Sequence, residues 1–146
     1  MEDFMKLAIE EAREGSIRNN HGGPFGVVIV KDGVVLSKAH NTVLRDQDPT
    51  CHAEIQAIRE ASKKLKSFDL SGCVLYSTGK PCPMCSSAIK WSKISKVFYA
   101  CSYEDAQSIG FNELSGNIEE YEEIAVDSEE CKKLYEEYQN LNREKY

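Results

Sequence analysis

Short β-rich runs alternate along this chain with segments of helical periodicity, and this alternation constrains the fold more than any other feature. Two runs rich in Val and Ile, residues 25–30 and 34–39, are separated by Lys31-Asp32-Gly33, whose Asp-Gly pair predicts a hairpin turn. Further strands are predicted at residues 73–77, 97–100 and 124–126. The chain therefore supplies five strands.

The segments between these runs carry apolar residues at helical intervals. Residues 3–14 form the first such segment, and the Gly15 that follows predicts that the helix stops there. Pro49-Thr50 are expected to open a second helix, with His52 and Glu54 in its first turn. Three more helices are predicted at residues 82–91, 103–109 and 128–141.

Strands that alternate with helices in this way predict βαβ crossovers. We therefore expect an α/β fold, a three-layer α/β/α sandwich whose mixed five-stranded sheet turns parallel after its opening hairpin. The chain has 146 residues and carries no repeat or linker that would divide it. A single domain over residues 1–146 is expected.

The composition limits the partners that this chain can have. Its 24 Asp and Glu residues exceed its 18 Lys and Arg residues, for a formal net charge of −6, which disfavours nucleic acid and favours a small uncharged or cationic substrate. No apolar run approaches the roughly 20 residues that cross a membrane. The acidic start Glu2-Asp3 does not match a secretion signal. We expect a cytoplasmic protein without a membrane partner, whose six cysteines are thiols or metal ligands.

Two short motifs carry the chemistry, His52-Ala53-Glu54 and Pro81-Cys82-Pro83-Met84-Cys85. A catalytic zinc site takes three nitrogen or sulfur ligands and leaves its fourth position to water. Cys82 and Cys85 lie three residues apart at a predicted helix start, so they share a face, and the helix N-terminus lowers the pKa of their thiols. Together with His52 they supply the three ligands for one Zn²⁺.

Glu54 lies two positions after His52. Residues two apart on a helix do not share a face, so the two side chains are not expected to bind one ion together. We expect Glu54 beside the water that the metal binds. Zinc lowers the pKa of such a water from about 15.7 toward about 7, so a neighbouring carboxylate can take its proton near neutral pH. The motifs thus predict hydrolytic chemistry with Glu54 as the acid-base group.

These motifs resemble the zinc signature of the cytidine deaminase-like superfamily, H-x-E followed by P-C-x-x-C. The likeness is closer to bacterial guanine deaminases and covers nearly the whole chain, on residues 22–33, 48–54, 81–85, 97–100, 105–106, 110–111 and 143–146. It implies a five-stranded sheet flanked by helices, one zinc per subunit, and conversion of guanine to xanthine and ammonia. In that reaction Glu54 would pass a proton from water to a ring nitrogen and then to the departing amine.

The resemblance also implies which residues contact a purine. They are Phe25, Asn41, Ala53, Trp91, Asp105 and Tyr146. Phe25 would stack on the base, Asn41 would bond its edge and Trp91 would wall the pocket. Asp105 would also relay protons, as a second catalytic residue. Tyr146 would reach an active site from the C-terminal tail, commonly that of a partner, and a homodimer is expected. Two arrangements are open for this dimer: residues from about 128 to 146 are exchanged between subunits, or Tyr146 acts in the site of its own subunit.

Two positions depart from the family pattern. Lys80 stands where many relatives have Glu before the Pro-Cys pair, and Asn112-Glu113 replaces an acidic pair of some guanine deaminases. These departures bear on the substrate more than on the reaction class. The alternatives are a tRNA adenosine deaminase, another cytosine or nucleoside deaminase of the superfamily, and a catalytically silent protein that binds a purine or zinc.

Simpler explanations exist for several of these residues. A Cys-x-x-Cys pair beside a βαβ pattern also occurs in thioredoxin-like redox proteins, although that explanation leaves His52-Ala53-Glu54 without a role. Asp105 is alternatively a helix cap and Tyr146 a frayed end. The remaining cysteines show no second close pair that a four-ligand zinc site would need, and we expect buried small hydrophobic residues at Cys51, Cys73, Cys101 and Cys131. Surface or capping positions are expected for His21 and His40.

Overall fold

The computed structural model describes residues 3–111 and 121–146. Its strands are β1 (Gly26–Lys31), β2 (Val34–His40), β3 (Cys73–Gly79), β4 (Lys96–Cys101) and β5 (Glu122–Ala125). Its helices are α1 (Phe4–Arg13), α2 (Val43–Asp46), α3 (Ala53–Leu65), α4 (Pro83–Ser92), α5 (Tyr103–Ser108) and α6 (Glu129–Gln139). A search of the described helices finds none with the length and apolar character that a membrane crossing requires.

The strands form one mixed sheet in the order β2-β1-β3-β4-β5. Strand β1 pairs antiparallel with both β2 and β3, whereas β3, β4 and β5 run parallel. The hairpin closes as predicted, because Asp32 and Gly33 both take the positive φ values, 50° and 77°, that a tight two-residue turn requires. The predicted change from antiparallel to parallel pairing after the hairpin is confirmed.

Helices cover both faces of this sheet. One core layer lies between the sheet and α1 and α6, and includes Val28 and Leu134. The other lies under α3 and α4, and includes Val27 and Ala57. Successive side chains of β1 enter opposite layers, and every residue of the strand except Lys31 is buried, so the strand is a continuous apolar run up to that residue. The three-layer α/β/α arrangement is confirmed.

The first helix does not stop at Gly15, and this prediction was wrong. A π-helical turn, Glu14–Arg18, continues the helix past that residue. Gly15 is needed for packing instead, because a Cβ there would lie 2.2 Å from Cδ2 of the His40 ring. The glycine therefore lets α1 approach the end of β2 closely.

The second predicted helix begins later than expected. Pro49-Thr50 do not open it, because Asp48 accepts hydrogen bonds from the Thr50 amide and hydroxyl at 2.8 and 2.7 Å and so forms a local turn. Helix α3 starts at Ala53, and His52 is its N-cap residue. The short helix α2 was not predicted. The late start places His52 at the helix entrance.

The other predicted elements are confirmed with small changes in their ends. Ser128 caps α6 by accepting a hydrogen bond from the Cys131 amide at 3.1 Å. Strand β3 continues two residues beyond its predicted end, to Gly79. The pairing directions bring the start of β1, the end of β2 and the end of β3 to one edge of the sheet, where α3 and α4 also begin.

Candidate active site

Two helix starts meet at this edge of the sheet and bring the predicted metal ligands together. His52 is the N-cap residue of α3 and Cys82 is the N-cap residue of α4, with Pro83 in the first turn of α4. Cys85 follows in the first turn of α4 and is fully buried. One potential ligand atom from each of His52, Cys82 and Cys85 lies within 4.8 Å of the others, and no second such group of His, Cys, Asp and Glu occurs in the described part of the chain.

The spacing of these atoms fits zinc. Nδ1 of His52 lies 3.6 Å from Sγ of Cys82 and 3.5 Å from Sγ of Cys85. Tetrahedral bonds of about 2.3 Å to sulfur and about 2.0–2.1 Å to nitrogen place the two ligand atoms about 3.5 Å apart. The three side chains can therefore hold one zinc ion with little rearrangement, and they leave a fourth position for a small molecule.

The two thiols share a proton when no metal is present. A hydrogen bond from Cys85 is the main reason that the pKa of Cys82 falls to about 4, with a smaller contribution from His52. The same hydrogen bond, together with burial, raises the pKa of Cys85 well above its ordinary value. These opposite shifts favour one thiolate in the pair, and binding of a metal ion would displace the remaining proton.

Glu54 lies in the first turn of α3, and only 6% of its surface is exposed. Burial raises the pKa of its carboxyl, and the negative charge at Cys82 raises it further. A carboxyl group in such a position is of the kind that accepts and returns protons in general acid-base catalysis. The structure therefore places a buried carboxyl group beside the potential metal ligands.

A small cavity opens in front of these groups. His52 and Glu54 line it from α3, Phe25 precedes β1 and Asn41 follows β2, and the end of β3 closes it. The remaining lining residues are Ser77, Gly79, Lys80 and Ala106. The cavity thus combines one potential metal ligand, a buried carboxyl group, an aromatic ring and a side-chain amide.

Asn41 presents a free donor in this cavity. Its side chain is 1% exposed, and its Oδ1 accepts a hydrogen bond from the Val43 amide at 3.0 Å. Within the described residues, its buried Nδ2 has no hydrogen-bond partner. Such an unpaired buried donor is costly, so the position favours a ligand that brings an acceptor. Gly22 permits this arrangement, because a Cβ there would lie 2.1 Å from Oδ1 of Asn41.

The C-terminal tail folds back onto the same region within the single chain. The Tyr146 hydroxyl accepts a hydrogen bond from the Gly23 amide at 3.2 Å. Its ring lies 6.4 Å from the ring of His52 and 5.1 Å from that of Phe111, measured between centroids. Tyr146 is therefore not a frayed end in this structure, and it stands beside a predicted metal ligand of its own chain.

Two predicted site residues do not lie where the family resemblance implied. Trp91 is 83% exposed and does not wall the cavity, because α4 buries Ile89 against the sheet and a side chain two residues later points to the opposite side of the helix. Asp105 does not line the cavity either. Its carboxylate accepts hydrogen bonds from the amide and hydroxyl of Ser102 at 2.9 and 3.1 Å, in a capping box that begins α5.

The other predicted positions are accounted for in turn. Ala53 is fully buried between His52 and Glu54, as the first residue of α3. Asn112-Glu113 lie outside the described residues. The four remaining cysteines are buried free thiols, as expected. The His21 carbonyl accepts hydrogen bonds from the Leu44 and Arg45 amides at 2.9 Å, so the expected capping role is confirmed for His21. The two rings are partly buried, and Nδ1 of His21 lies 2.9 Å from Nε2 of His40, whose Nδ1 lies 2.9 Å from a Glu11 carboxylate oxygen.

Four of the lining residues were not predicted as site residues, namely Ser77, Gly79, Lys80 and Ala106. Ser77 and Gly79 belong to the end of β3, and Lys80 follows directly. Three of these residues could have been found from their position at the end of a predicted strand, just before the Pro-Cys pair. Residues at the carboxyl ends of parallel strands gather at one edge of a sheet. Lys80 was noticed only as a departure from the family pattern.

Comparison with known proteins agrees with this geometry. The family model described as the cytidine and deoxycytidylate deaminase zinc-binding region matches residues 1–101, which include all three potential ligands. The guanine deaminase of Bacillus subtilis (strain 168) is 46% identical over 112 residues, which cover 77% of this chain and 71% of that protein. A tRNA-specific adenosine deaminase of Aquifex aeolicus (strain VF5) is 46% identical over 99 residues, covering 68% of this chain and 64% of that protein.

A solved structure extends the likeness to the whole fold. The X-ray structure of guanine deaminase from Bacillus subtilis superposes with a TM-score of 0.73 at 38% identity, covering 98% of this chain and 96% of that chain. The predicted resemblance, the fold class and the zinc cofactor are thereby confirmed. The chain belongs to the cytidine and deoxycytidylate deaminase family and carries its zinc-binding region.

Proposed function

We propose that this chain hydrolytically deaminates guanine to xanthine and ammonia, as an enzyme of purine metabolism. The observation that carries the proposal is the arrangement at the cavity, which is lined by His52 of the His52, Cys82 and Cys85 cluster, by the buried Glu54 and by Asn41 with its unpaired amide. The 46% identity to the guanine deaminase of Bacillus subtilis supports the choice of base. The proposed zinc ligands are His52, Cys82 and Cys85.

Glu54 carries the proton transfers in this proposal. Bound zinc supplies Lewis acidity that makes water reactive near neutral pH. A carboxylate oxygen of Glu54 takes a proton from the attacking water and gives it to the ring nitrogen next to the amine-bearing carbon. It then moves the second proton to the amine, so that water and guanine are converted to xanthine and ammonia. The raised pKa of Glu54 suits a group that is protonated and deprotonated in each turnover.

The opposite wall of the cavity binds the base in this proposal. Nδ2 of Asn41 is a donor, and a purine presents acceptors on the edge that carries N7. The ring of Phe25 is held edge to face by Phe111 and Tyr135, with centroids 5.0 and 6.0 Å away, so it offers a fixed apolar surface for a planar base. Ala53, buried between His52 and Glu54, is placed to contact the base through its backbone amide.

A tRNA adenosine deaminase is the second candidate, because the Aquifex enzyme is as similar in sequence as the guanine deaminase. The exposed face of α6 argues against it, since Glu129, Glu130, Glu136 and Glu137 would repel a phosphate backbone. Binding to an RNA loop calls for basic and stacking residues instead. Guanine therefore remains the proposed substrate.

An ammonia-release assay over a panel of substrates tests the proposal. The panel contains guanine, guanosine, adenine, cytosine, cytidine and an anticodon stem-loop with adenosine at the wobble position. We expect turnover of guanine above all other compounds, with xanthine formed in equal amount to ammonia. Turnover of another base without turnover of guanine would refute the substrate while leaving the zinc chemistry in place. No turnover of any compound by zinc-loaded protein would favour a silent binding protein.

We also propose that the chain acts as a homodimer in the cytoplasm. Met84 and Trp91 lie seven residues apart on one face of α4 and are 36% and 83% exposed, which supports a partner on that face. In one arrangement of this dimer, Tyr146 lies at the site of its own subunit, as in the single chain. In the alternative arrangement, the tails are exchanged and Tyr146 lies at the partner's site. Light scattering of the purified protein tests the dimer, and a monomeric mass would refute it.

A further inference from the structure

An ion pair joins the loop that carries the zinc ligands to the outer strand of the sheet. Nζ of Lys80 lies 3.4 Å from Oε1 of Glu123 on β5. The side chain of Glu123 is only 8% exposed and that of Lys80 is 22% exposed, so solvent screens the pair less than an ordinary surface pair. Lys80 is two residues before Cys82, so the pair holds one flank of the proposed ligand loop.

The same carboxylate reaches the other flank through two hydroxyls. Oε2 of Glu123 accepts a hydrogen bond from the Tyr121 hydroxyl at 3.2 Å. That hydroxyl lies 2.9 Å from Oγ of Ser86, a buried residue that directly follows Cys85. The connected groups therefore run from Lys80 through Glu123 and Tyr121 to Ser86. Lys80 and Ser86 flank Cys82 and Cys85 in the sequence.

Aromatic rings support the middle of this loop. The Tyr103 hydroxyl donates a hydrogen bond to the carbonyl of Pro81 at 2.5 Å. Nζ of Lys80 lies 4.9 Å from the centre of the same ring and 5.7 Å from that of Tyr99, within the range of cation–π attraction. The Glu123 carboxylate and the two tyrosine rings therefore restrict the position of the Lys80 ammonium group.

We propose that Lys80, Glu123 and Tyr121 are positioning residues that hold Cys82 and Cys85 at the separation zinc requires. We call these three residues the outer-strand brace. The inference rests on the proposed zinc site, and it assigns to β5 a part in that site although β5 contributes none of the proposed ligands. The brace acts through the backbone on both sides of the Cys82 to Cys85 segment, so it sets the position of both sulfurs together.

The brace also explains how this chain accommodates its departure at position 80. A Glu at position 80 would place a second carboxylate against Glu123, where the present separation of the charged groups is 3.4 Å. Two carboxylates so close and so little exposed would repel each other. Lys80 and Glu123 therefore form a matched pair, and we expect that neither can be changed alone without disturbing the loop.

The test compares two neighbouring glutamates of β5. Glu123→Gln removes the charge that Lys80 faces, whereas Glu122→Gln removes an exposed charge that lies 3.9 Å from Lys96. Groups that orient metal ligands typically contribute about 10- to 100-fold to metal affinity. We expect Glu123→Gln to release zinc to an excess of chelator about tenfold faster or more, and Glu122→Gln to match the unmodified protein. In the cobalt-substituted protein, the sulfur-to-cobalt absorption band should shift only for Glu123→Gln.

A charge exchange separates positioning from a general loss of stability. Lys80→Glu alone should accelerate zinc release, and the double variant Lys80→Glu with Glu123→Lys should recover most of the original rate. Equal zinc-release rates for Glu123→Gln and Glu122→Gln would overturn the brace. A double variant that releases zinc as fast as Lys80→Glu alone would overturn it too. The zinc content of the unmodified protein tests the underlying proposal separately, because a chain without one tightly bound zinc would refute the site itself.

Discussion

Glu54 is the residue on which the proposed chemistry depends most. Glu54→Gln keeps the size of the side chain but removes its ability to take a proton, and the residue is not among the three proposed ligands. We expect the variant to retain one zinc per chain and to lose about 10²–10⁴-fold in turnover number, as is usual for an acid-base group. Zinc analysis and steady-state kinetics on the same preparation measure both quantities.

Glu60→Gln is the matched control, because Glu60 lies on the same helix and is exposed to solvent. It should leave turnover and zinc content unchanged. Undiminished turnover in Glu54→Gln would remove Glu54 from the reaction, and loss of zinc from that variant would make it a ligand instead.

His21 should make the stability of the fold depend on pH. Burial lowers its pKa from the ordinary value of 6.5, and the neighbouring His40 and Arg45 lower it further, while Asp46 and Glu14 oppose them. The ring also stacks on His40, which in turn meets Glu11. Below pH 6.5 the unfolded chain therefore binds more protons at this position than the folded chain does, so the free energy of unfolding falls as pH decreases through that range.

Urea unfolding between pH 8 and pH 5 measures this effect. The unmodified protein should lose stability as pH falls below about 6.5, and His21→Gln should lose less over the same interval. Parallel losses in the two proteins would show that other groups, and not His21, are responsible.

The sequence predicts the positions of some site residues better than those of others. The grouping of His52, Cys82 and Cys85 was predictable from the sequence, because zinc chemistry fixes both residue type and spacing. Trp91 and Asp105 were placed by resemblance alone, which gives a position in the chain but not the direction of a side chain or its competing hydrogen bonds. The pairing of His21 with His40 joins residues 19 positions apart, and no local pattern signals it.

At the scale of elements, the contact between α1 and β1 depends on Gly26. A Cβ at this position would lie 2.2 Å from the Ala8 carbonyl oxygen and 2.6 Å from the Ala12 amide nitrogen, which are both backbone atoms of α1. Gly26→Ala must therefore displace the helix, and we expect a loss of about 3 kcal/mol in the free energy of unfolding. Urea unfolding measures that loss.

Gly33→Ala serves as the comparison, because a Cβ there meets no atom within 4 Å and only its φ of +77° is unfavourable. Its loss should be about 1 kcal/mol. If both substitutions cost the same, the close approach of α1 to β1 is not what stabilises this face of the sheet.

Elements were predictable where local chemistry decides them. The Asp32-Gly33 turn and the Ser128 cap carry their own signals, and both are confirmed. The π-helical turn and the delayed start of α3 were not predictable, because they depend on packing at His40 and on a side-chain turn at Asp48. The position of the candidate site at one edge of the sheet depends on the order of the strands. Hydrophobic periodicity does not predict that order.

At the scale of the whole molecule, the tail joins the first helical segment to the active site. The Arg143 guanidinium donates hydrogen bonds to the carbonyls of Ser16 and Ile17, and three residues later Tyr146 meets Gly23 and His52. Arg143→Met removes the anchor but keeps much of the aliphatic bulk. We expect KM for guanine to rise about tenfold, corresponding to about 1.4 kcal/mol, with little change in kcat.

Steady-state kinetics measure this effect, and Lys132→Met is the control because its ion pair with Asp127 spans 3.9 Å at an exposed position. An unchanged KM in Arg143→Met would mean that the tail does not contribute to substrate binding within the chain. A single domain stays a prediction at this scale. A homodimer and a cytoplasmic location also stay predictions, because they depend on partners and surroundings that one chain does not contain.

Zinc K-edge X-ray absorption on the purified protein tests the central claim most directly, because it reports the ligand atoms of the bound metal. We expect one zinc per chain with two sulfur neighbours at about 2.3 Å, one imidazole nitrogen at about 2.0–2.1 Å and one further light atom from solvent. A fourth protein ligand, a shell of sulfur alone or the absence of zinc would contradict a catalytic site formed by His52, Cys82 and Cys85.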